Sequence, residues 1–273
     1  MQRSERASGS STAWVIAFVI VAVVLGATYL FWGHLADVIG PQPVFLRIYA
    51  AIIGPCEVAT AILLTRRALR LRTRRATLLA AAYCVSAPLV LENLSSLPGI
   101  VGLHGFAHQT PPWCWTVWHL GWASCVLVFA WFPDRPVRQP LTTIGAALGF
   151  AVVFGLIAAR ADTYLPPVLA AGDVVSPLLF VLGWVTIGLL LLAAFGLAAY
   201  RGAALDAWLL VAVFALALDE AFVLTMSVRF SIGTYLARTL GAINAMAMLL
   251  PIAFENQPQP DAAPQLQVEI PRA

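Results

Sequence analysis

Eight runs of about twenty mostly apolar residues, each long enough to cross a bilayer as a helix, leave this chain few ways to fold. They fall at Ala13–Trp32, Val44–Thr65, Ala76–Asn93, Trp113–Phe132, Leu141–Arg160, Leu178–Tyr200, Ala207–Ser227 and Gly233–Phe254. In hydrocarbon every backbone N–H and C=O must find its partner within the protein, which leaves helices or a closed barrel. None of the runs alternates apolar and polar residues as a barrel strand does. The expected fold class is therefore an all-α integral membrane protein, a bundle of about eight transmembrane helices. Only 11% of residues are charged and 61% are hydrophobic, too little charge to solvate the surface of a soluble protein of this length.

The runs divide the chain into a polar tail at 1–12, a membrane domain at 13–255 and a tail at 256–273. The last is rich in Pro and Gln and too short to form a core. The first run is longer than a signal-peptide core and no small-x-small cleavage pattern follows it, so it reads as a retained helix.

Arginine placement orients the bundle. All sixteen basic residues other than histidine are arginines, and six of them (Arg66, Arg67, Arg70, Arg72, Arg74 and Arg75) lie in the loop after the second run. Arg135, Arg138 and Arg201 fall in loops on the same side, whereas residues 33–43 and 94–112 have none. The positive-inside rule places both termini in the cytoplasm, as in a bacterial inner membrane. Topology accounts for the arginine run; anionic lipid or an acidic partner is the alternative reading. A net charge of +3 gives no reason to expect nucleic acid.

The four cysteines form no C-x-x-C pair, so neither a disulfide framework nor a zinc ribbon is expected. His104 and His108 stand four apart, the spacing of a metal-binding helix face, but Gly102 and Gly105 weaken a helix there and no further ligand is near in sequence. No cofactor is expected. Gly145 and Gly149 make a GxxxG that invites close helix approach. No phosphate-binding loop, nucleophile elbow or H-E-x-x-H is present, which argues against an enzyme.

The polar residues inside the runs carry the functional signal. "TPPWCWTVWHLGW" (110–122) opens the fourth run with two prolines, suited to a first helical turn. Trp113 and Trp115 then fall at the interface, where indoles are favoured. Trp118, His119 and Trp122 go deeper, His119 by about 9 Å, and share a helical face. Arg47, Glu92, Asp219, Glu220 and Arg238 occupy the same outer half, and Glu57 lies deeper. Ionisable groups facing lipid cost a few kcal/mol each, so these are expected to face the interior and pair. The expectation is a polar pocket, open to the outer side, that binds a small ligand or protons. A solute or ion pathway is the alternative, and ion pairs that only fix packing are the third reading. No internal repeat is evident in the sequence, which argues against the pathway.

At these residues the sequence resembles the fourth type of bacterial membrane-associated sensor domain. The stretch "AYCVSAPLVLENLSSLPGIVGLHGFAHQTPPWCWTVWHLGW" carries the likeness through Pro98-Gly99, Gln109-Thr110 and Trp118-His119. Glu57, Thr60, Ala61 and Tyr83 fit the same pattern, over roughly residues 50 to 133. Asn93 stands where the family pattern has a histidine. The resemblance implies a membrane input module of the kind that precedes a histidine kinase or diguanylate cyclase. No such domain is found in this sequence, so a signal is expected to pass to a separate partner. The expected binding residues are Arg47, Glu57, Glu92, Asn93, Gln109, Trp118, His119, Trp122, Asp219, Glu220 and Arg238.

The orientation can be checked in intact cells with a membrane-impermeant maleimide, in a background where the native cysteines are replaced. Val38→Cys should be labelled and Arg72→Cys spared; the opposite pattern would invert the topology.

Overall fold

The computed structural model describes residues 2–40, 42–96, 109–170, 174–200, 204–225 and 231–255. Among them, eight helices are long and apolar enough to cross a membrane. These are α1 (Gln2–Phe31), α2 (Pro43–Leu71), α3 (Arg74–Ser95), α4 (Thr110–Trp131), α5 (Pro140–Ala158), α7 (Pro177–Ala199), α8 (Ala204–Thr225) and α9 (Ile232–Glu255). A single-turn helix, α6 (Ala161–Tyr164), and a small antiparallel hairpin lie between α5 and α7. The hairpin pairs β1 (Leu169–Ala170) with β2 (Val174–Val175). Helical backbone runs back to Gln2, into the stretch expected as a polar tail.

Local chemistry sets the helix ends. Proline occupies the first turn of α2, α4, α5 and α7, where its missing N–H costs no helical bond. Thr73 and Ser176 cap α3 and α7 by accepting from Ala76 N–H and Leu179 N–H. The end of α2 turns on Arg72, whose φ of 50° is left-handed and whose N–H returns to the Ala68 carbonyl.

Six helices close a ring in the order α2, α3, α4, α7, α8, α9 and back to α2. α5 lies outside against α3, and α1 lies outside against α8. Burial follows this plan: α3 and α8 bury 78% and 72% of their apolar windows, whereas α1 and α5 bury 17% each. The two peripheral helices give their remaining surface to the bilayer.

The packing scheme is two-fold. If α1–α4 form one unit and α5, α7, α8 and α9 a second, each contact in one has its counterpart in the other. The first helix of each unit covers the third helix of the other, and the last helix of each unit touches the second of the other. Corresponding helices run in the same direction, so the repeat is parallel, with its axis along the bundle. No internal repeat is evident in the sequence; the two-fold scheme lies in which helix packs against which.

Glycine also departs from expectation. A side-chain carbon added at Gly145 or Gly149 would meet nothing within 4 Å, so the GxxxG of α5 faces outward with no helix of this chain against it among the described residues. Close approach occurs on α7 instead. A β-carbon at Gly183 would fall 2.7 Å from Leu224 Cδ2, and one at Gly196 would fall 2.9 Å from Trp131 Nε1. Gly183→Val should therefore lower the melting temperature in detergent, with a cost of about 1–3 kcal/mol from overpacking. Gly188→Val, with open space at its β-carbon, should melt like the parent.

Candidate functional site

α4 presents Trp115, Trp118, His119 and Trp122 at spacings of three and four, which stacks them on one helical face. That face turns into the ring. His119 is fully buried, between the rings of Trp115 and Trp118 at centroid distances of 4.4 and 4.3 Å. Its Nδ1 lies 2.7 Å from the carbonyl oxygen of Trp115, one turn back. A carbonyl only accepts, so Nδ1 carries a hydrogen and donates it. Its Nε2 lies 3.1 Å from Oδ2 of Asp219 on α8. With Nδ1 already protonated, this contact needs one more proton, held either by the imidazole or by the carboxyl. The pair is net neutral in both forms.

The contact crosses the inside of the ring and joins the last helix of one unit to the third helix of the other. α9 closes over it at Gly241, where a β-carbon would lie 3.4 Å from Tyr49 Oη and 3.8 Å from Asp219 Oδ2. One turn earlier on α9, the Arg238 guanidinium sits 5.3 Å from the centre of the Tyr49 ring. Tyr49, His119, Asp219 and Arg238 therefore form one cluster drawn from four helices. Glu220 is also buried, but it diverges from Asp219 by about 100° around α8; its Oε2 has no hydrogen-bond partner among the described residues.

Glu57 is buried about two turns further along α2. Ser86 Oγ of α3 donates to its Oε2 at 2.5 Å, and its Oε1 has no partner among the described residues. Tyr83 meets Trp122 edge-on at 6.2 Å between ring centres. Neither the hydroxyl of Tyr83 nor the indole N–H of Trp122 has a hydrogen-bond partner among the described residues.

Other expected site residues do different work. Arg47 is exposed on the outside of α2 rather than facing the interior. It stands in the second turn, where a long side chain reaches the interface and no buried partner is needed. Glu92 is half-buried near the end of α3, in the neighbourhood of Cys114. Asn93 donates from Nδ2 to the Pro111 carbonyl at 2.7 Å, tying the end of α3 to the start of α4. Gln109 clamps the hairpin: its Oε1 accepts from Val168 N–H and Leu169 N–H, and its Nε2 donates to the Leu169 carbonyl. Trp115 belongs to the shell of His119 rather than serving only as an interfacial anchor. Trp113 keeps that position, donating to the Pro166 carbonyl. The centre is buried rather than open to one side as expected. His104 and His108 lie outside the described residues.

Sequence reasoning missed Tyr49, Ser86 and Asn244, a tyrosine, a serine and an asparagine inside apolar runs. It also missed the opposite end, where Arg75 pairs with buried Asp206 at 3.0 Å and lies 4.1 Å over the Phe129 ring. Arg74 donates to the Pro133 carbonyl there, and Arg75 N–H to Asp134 Oδ1. The arginine-rich turn is thereby fastened to the α4–α5 turn. A shallow crevice among α1, α8 and α9 is lined by apolar side chains such as Val24, Phe214 and Ile243, and includes none of these polar groups. No family model, curated protein or solved structure matches this chain.

Removing one partner of a buried pair leaves the other without compensation. Asp219→Ala should destabilise the folded bundle by about 3–5 kcal/mol, read as the shift of its denaturation midpoint in detergent. Asp219→Asn, whose amide still donates to Nε2, should lose clearly less. Equal losses would show that the His119 contact contributes nothing.

Proposed function

We propose that this protein is a multi-pass sensor-type protein of a bacterial inner membrane, without enzymatic activity. Its buried polar centre binds a small ligand or takes up protons. The observation that carries this reading is the His119–Asp219 contact, a single shared proton between the two packing units. Adding a second proton, removing the shared one, or inserting a ligand that competes for Nε2 or Oδ2 breaks a bond between the units. Helix packing then has reason to change.

A stimulus shifts such an equilibrium only by its differential affinity for the two arrangements. The arginine-rich turn, fastened to its neighbours by directed bonds, is the natural place to deliver the shift to a separate signalling protein. The likeness of residues 50 to 133 to membrane-associated sensor domains supports the same reading.

The two-fold packing favours a second reading, a transporter of small solutes or ions. Parallel repeats about an axis along the membrane normal, with polar groups between them, occur in transporters. Both readings use the same residues and differ in whether anything crosses.

Two measurements on the full chain in lipid separate them. Protonated imidazole quenches a neighbouring indole, and Trp115 and Trp118 flank His119 closely. A pH titration of tryptophan fluorescence should show a transition that His119→Gln abolishes; an unchanged profile in the variant would remove His119 from the mechanism. Proteoliposomes should show no flux of ions or small solutes if the protein is a sensor. Flux that Asp219→Asn abolishes would establish the transporter.

A further inference from the structure

The charges buried inside the ring do not balance. His119 and Asp219 are net neutral together, whichever holds the proton. That leaves two buried carboxyls, Glu57 and Glu220, for one arginine, Arg238. With both ionised the interior would carry one uncompensated negative charge, which a membrane interior does not tolerate.

Buried polar atoms on α2, α3 and α9 lie near the depth of Glu57. α2 and α9 run in parallel: Phe45 meets Tyr235, and further along Tyr49 meets Arg238 and Gly241. Gly241 also lies level with Ile53. One turn beyond Ile53 is Glu57, and one turn beyond Gly241 is Asn244. The parallel register therefore carries both down the ring together by about 5 Å. Asn244 is fully buried, and neither its Oδ1 nor its Nδ2 has a partner among the described residues. Thr60, three residues past Glu57 on α2, is also fully buried with its hydroxyl unpartnered among them. Ser86 supplies a third side-chain oxygen from α3. Pro88 lacks the N–H that would bond the Cys84 carbonyl, so a backbone oxygen is freed on the same helix. Buried polar atoms are paired in native proteins as a rule, and a group left unpaired costs free energy. Several at one level of a bundle point to something that binds them.

We propose that Glu57, Thr60, Ser86 and Asn244 form a binding site for a monovalent cation, sodium or a proton, which neutralises Glu57. The side-chain donors are hard oxygens with one formal charge among them, suited to a small monovalent ion and too weakly charged for a divalent one. The titratable groups facing Glu57 are Tyr49 and Cys56 on its own helix and Tyr83 on α3. Arg238 of α9 and Asp219 of α8 approach it through Tyr49, and His119 of α4 stands behind Asp219. The ion would therefore act next to the shared proton. This deepens the reading of the ring centre as a binding site and names what one part of it takes.

The test is a melting curve of the full chain in nanodiscs, at constant ionic strength. Sodium chloride replaces N-methylglucamine chloride in one series, and pH is varied without sodium in the other. A melting temperature that rises with sodium, and not with potassium, identifies a sodium site; a pH-dependent shift without any sodium effect identifies a proton site. The sodium response should vanish in Glu57→Gln, whose amide oxygen still accepts from Ser86; a proton response should shrink by the share of Glu57 and leave that of His119. Thr60→Val keeps shape and charge; it should weaken a sodium response several-fold and leave a proton response unmoved. Indifference of the parent to both ions, or a response that Glu57→Gln leaves unchanged, would overturn the proposal. If the sodium response is present while the fluorescence transition is absent from the parent, the cation site stands and the sensing role of His119 falls.

Discussion

A single hydrogen bond inside a ring of helices organises this molecule. His119 reaches Asp219 between two packing units, and Trp115 fixes the imidazole by accepting from its other nitrogen. Between lipid-soluble helices the hydrophobic effect supplies little drive, so packing and polar contacts carry the association. A buried contact between units then costs the most to lose, because neither partner finds water in its place. The indoles on either side hold the ring plane.

The rest of the architecture fits around that bond. α3 and α8, the third helices of the two units, are the most buried, and each is shielded by the first helix of the other unit. Close contact comes from Gly183 and Gly196 on α7 against Leu224 and Trp131. At the arginine-rich end, Arg75 and Asp206 pin α3 to α8. At the other end, Asn93 binds the first turn of α4, Gln109 the hairpin and Tyr235 the Gly40 carbonyl. Directed bonds lie at the two ends and in the middle, with apolar packing between. Such an arrangement has a few discrete points at which a proton or an ion can act.

Sensing and transport meet in this geometry. Each needs polar groups out of lipid, at an interface between bodies that can shift. Tyr49 stands between the His119–Asp219 contact and Glu57, so under the two proposals occupation of one site would bear on the charge felt at the other. The sensor reading rests on the bond between units and the motif resemblance, and the transport reading rests on the parallel repeat.

Much of this was legible in the sequence, and the remainder was not, for physical reasons. Length and hydropathy fix eight helices, because a bilayer demands about twenty apolar residues per crossing. A histidine or carboxylate within such a run must turn inward, which marked His119, Asp219, Glu220 and Glu57 correctly as interior. Arg47 failed the same rule because a residue near a helix end can reach the interface. Asn93 and Gln109 were read as binding residues, but amides at helix ends serve backbone as readily as ligand, and only the position of Pro111 and the hairpin decides which. The repeat, the closed ring and the partnership of α4 with α8 depend on which helix packs against which, and apolar faces of similar composition do not encode that choice locally. The sequence by itself determined which residues had to leave the lipid; the tertiary structure alone decided which of them met.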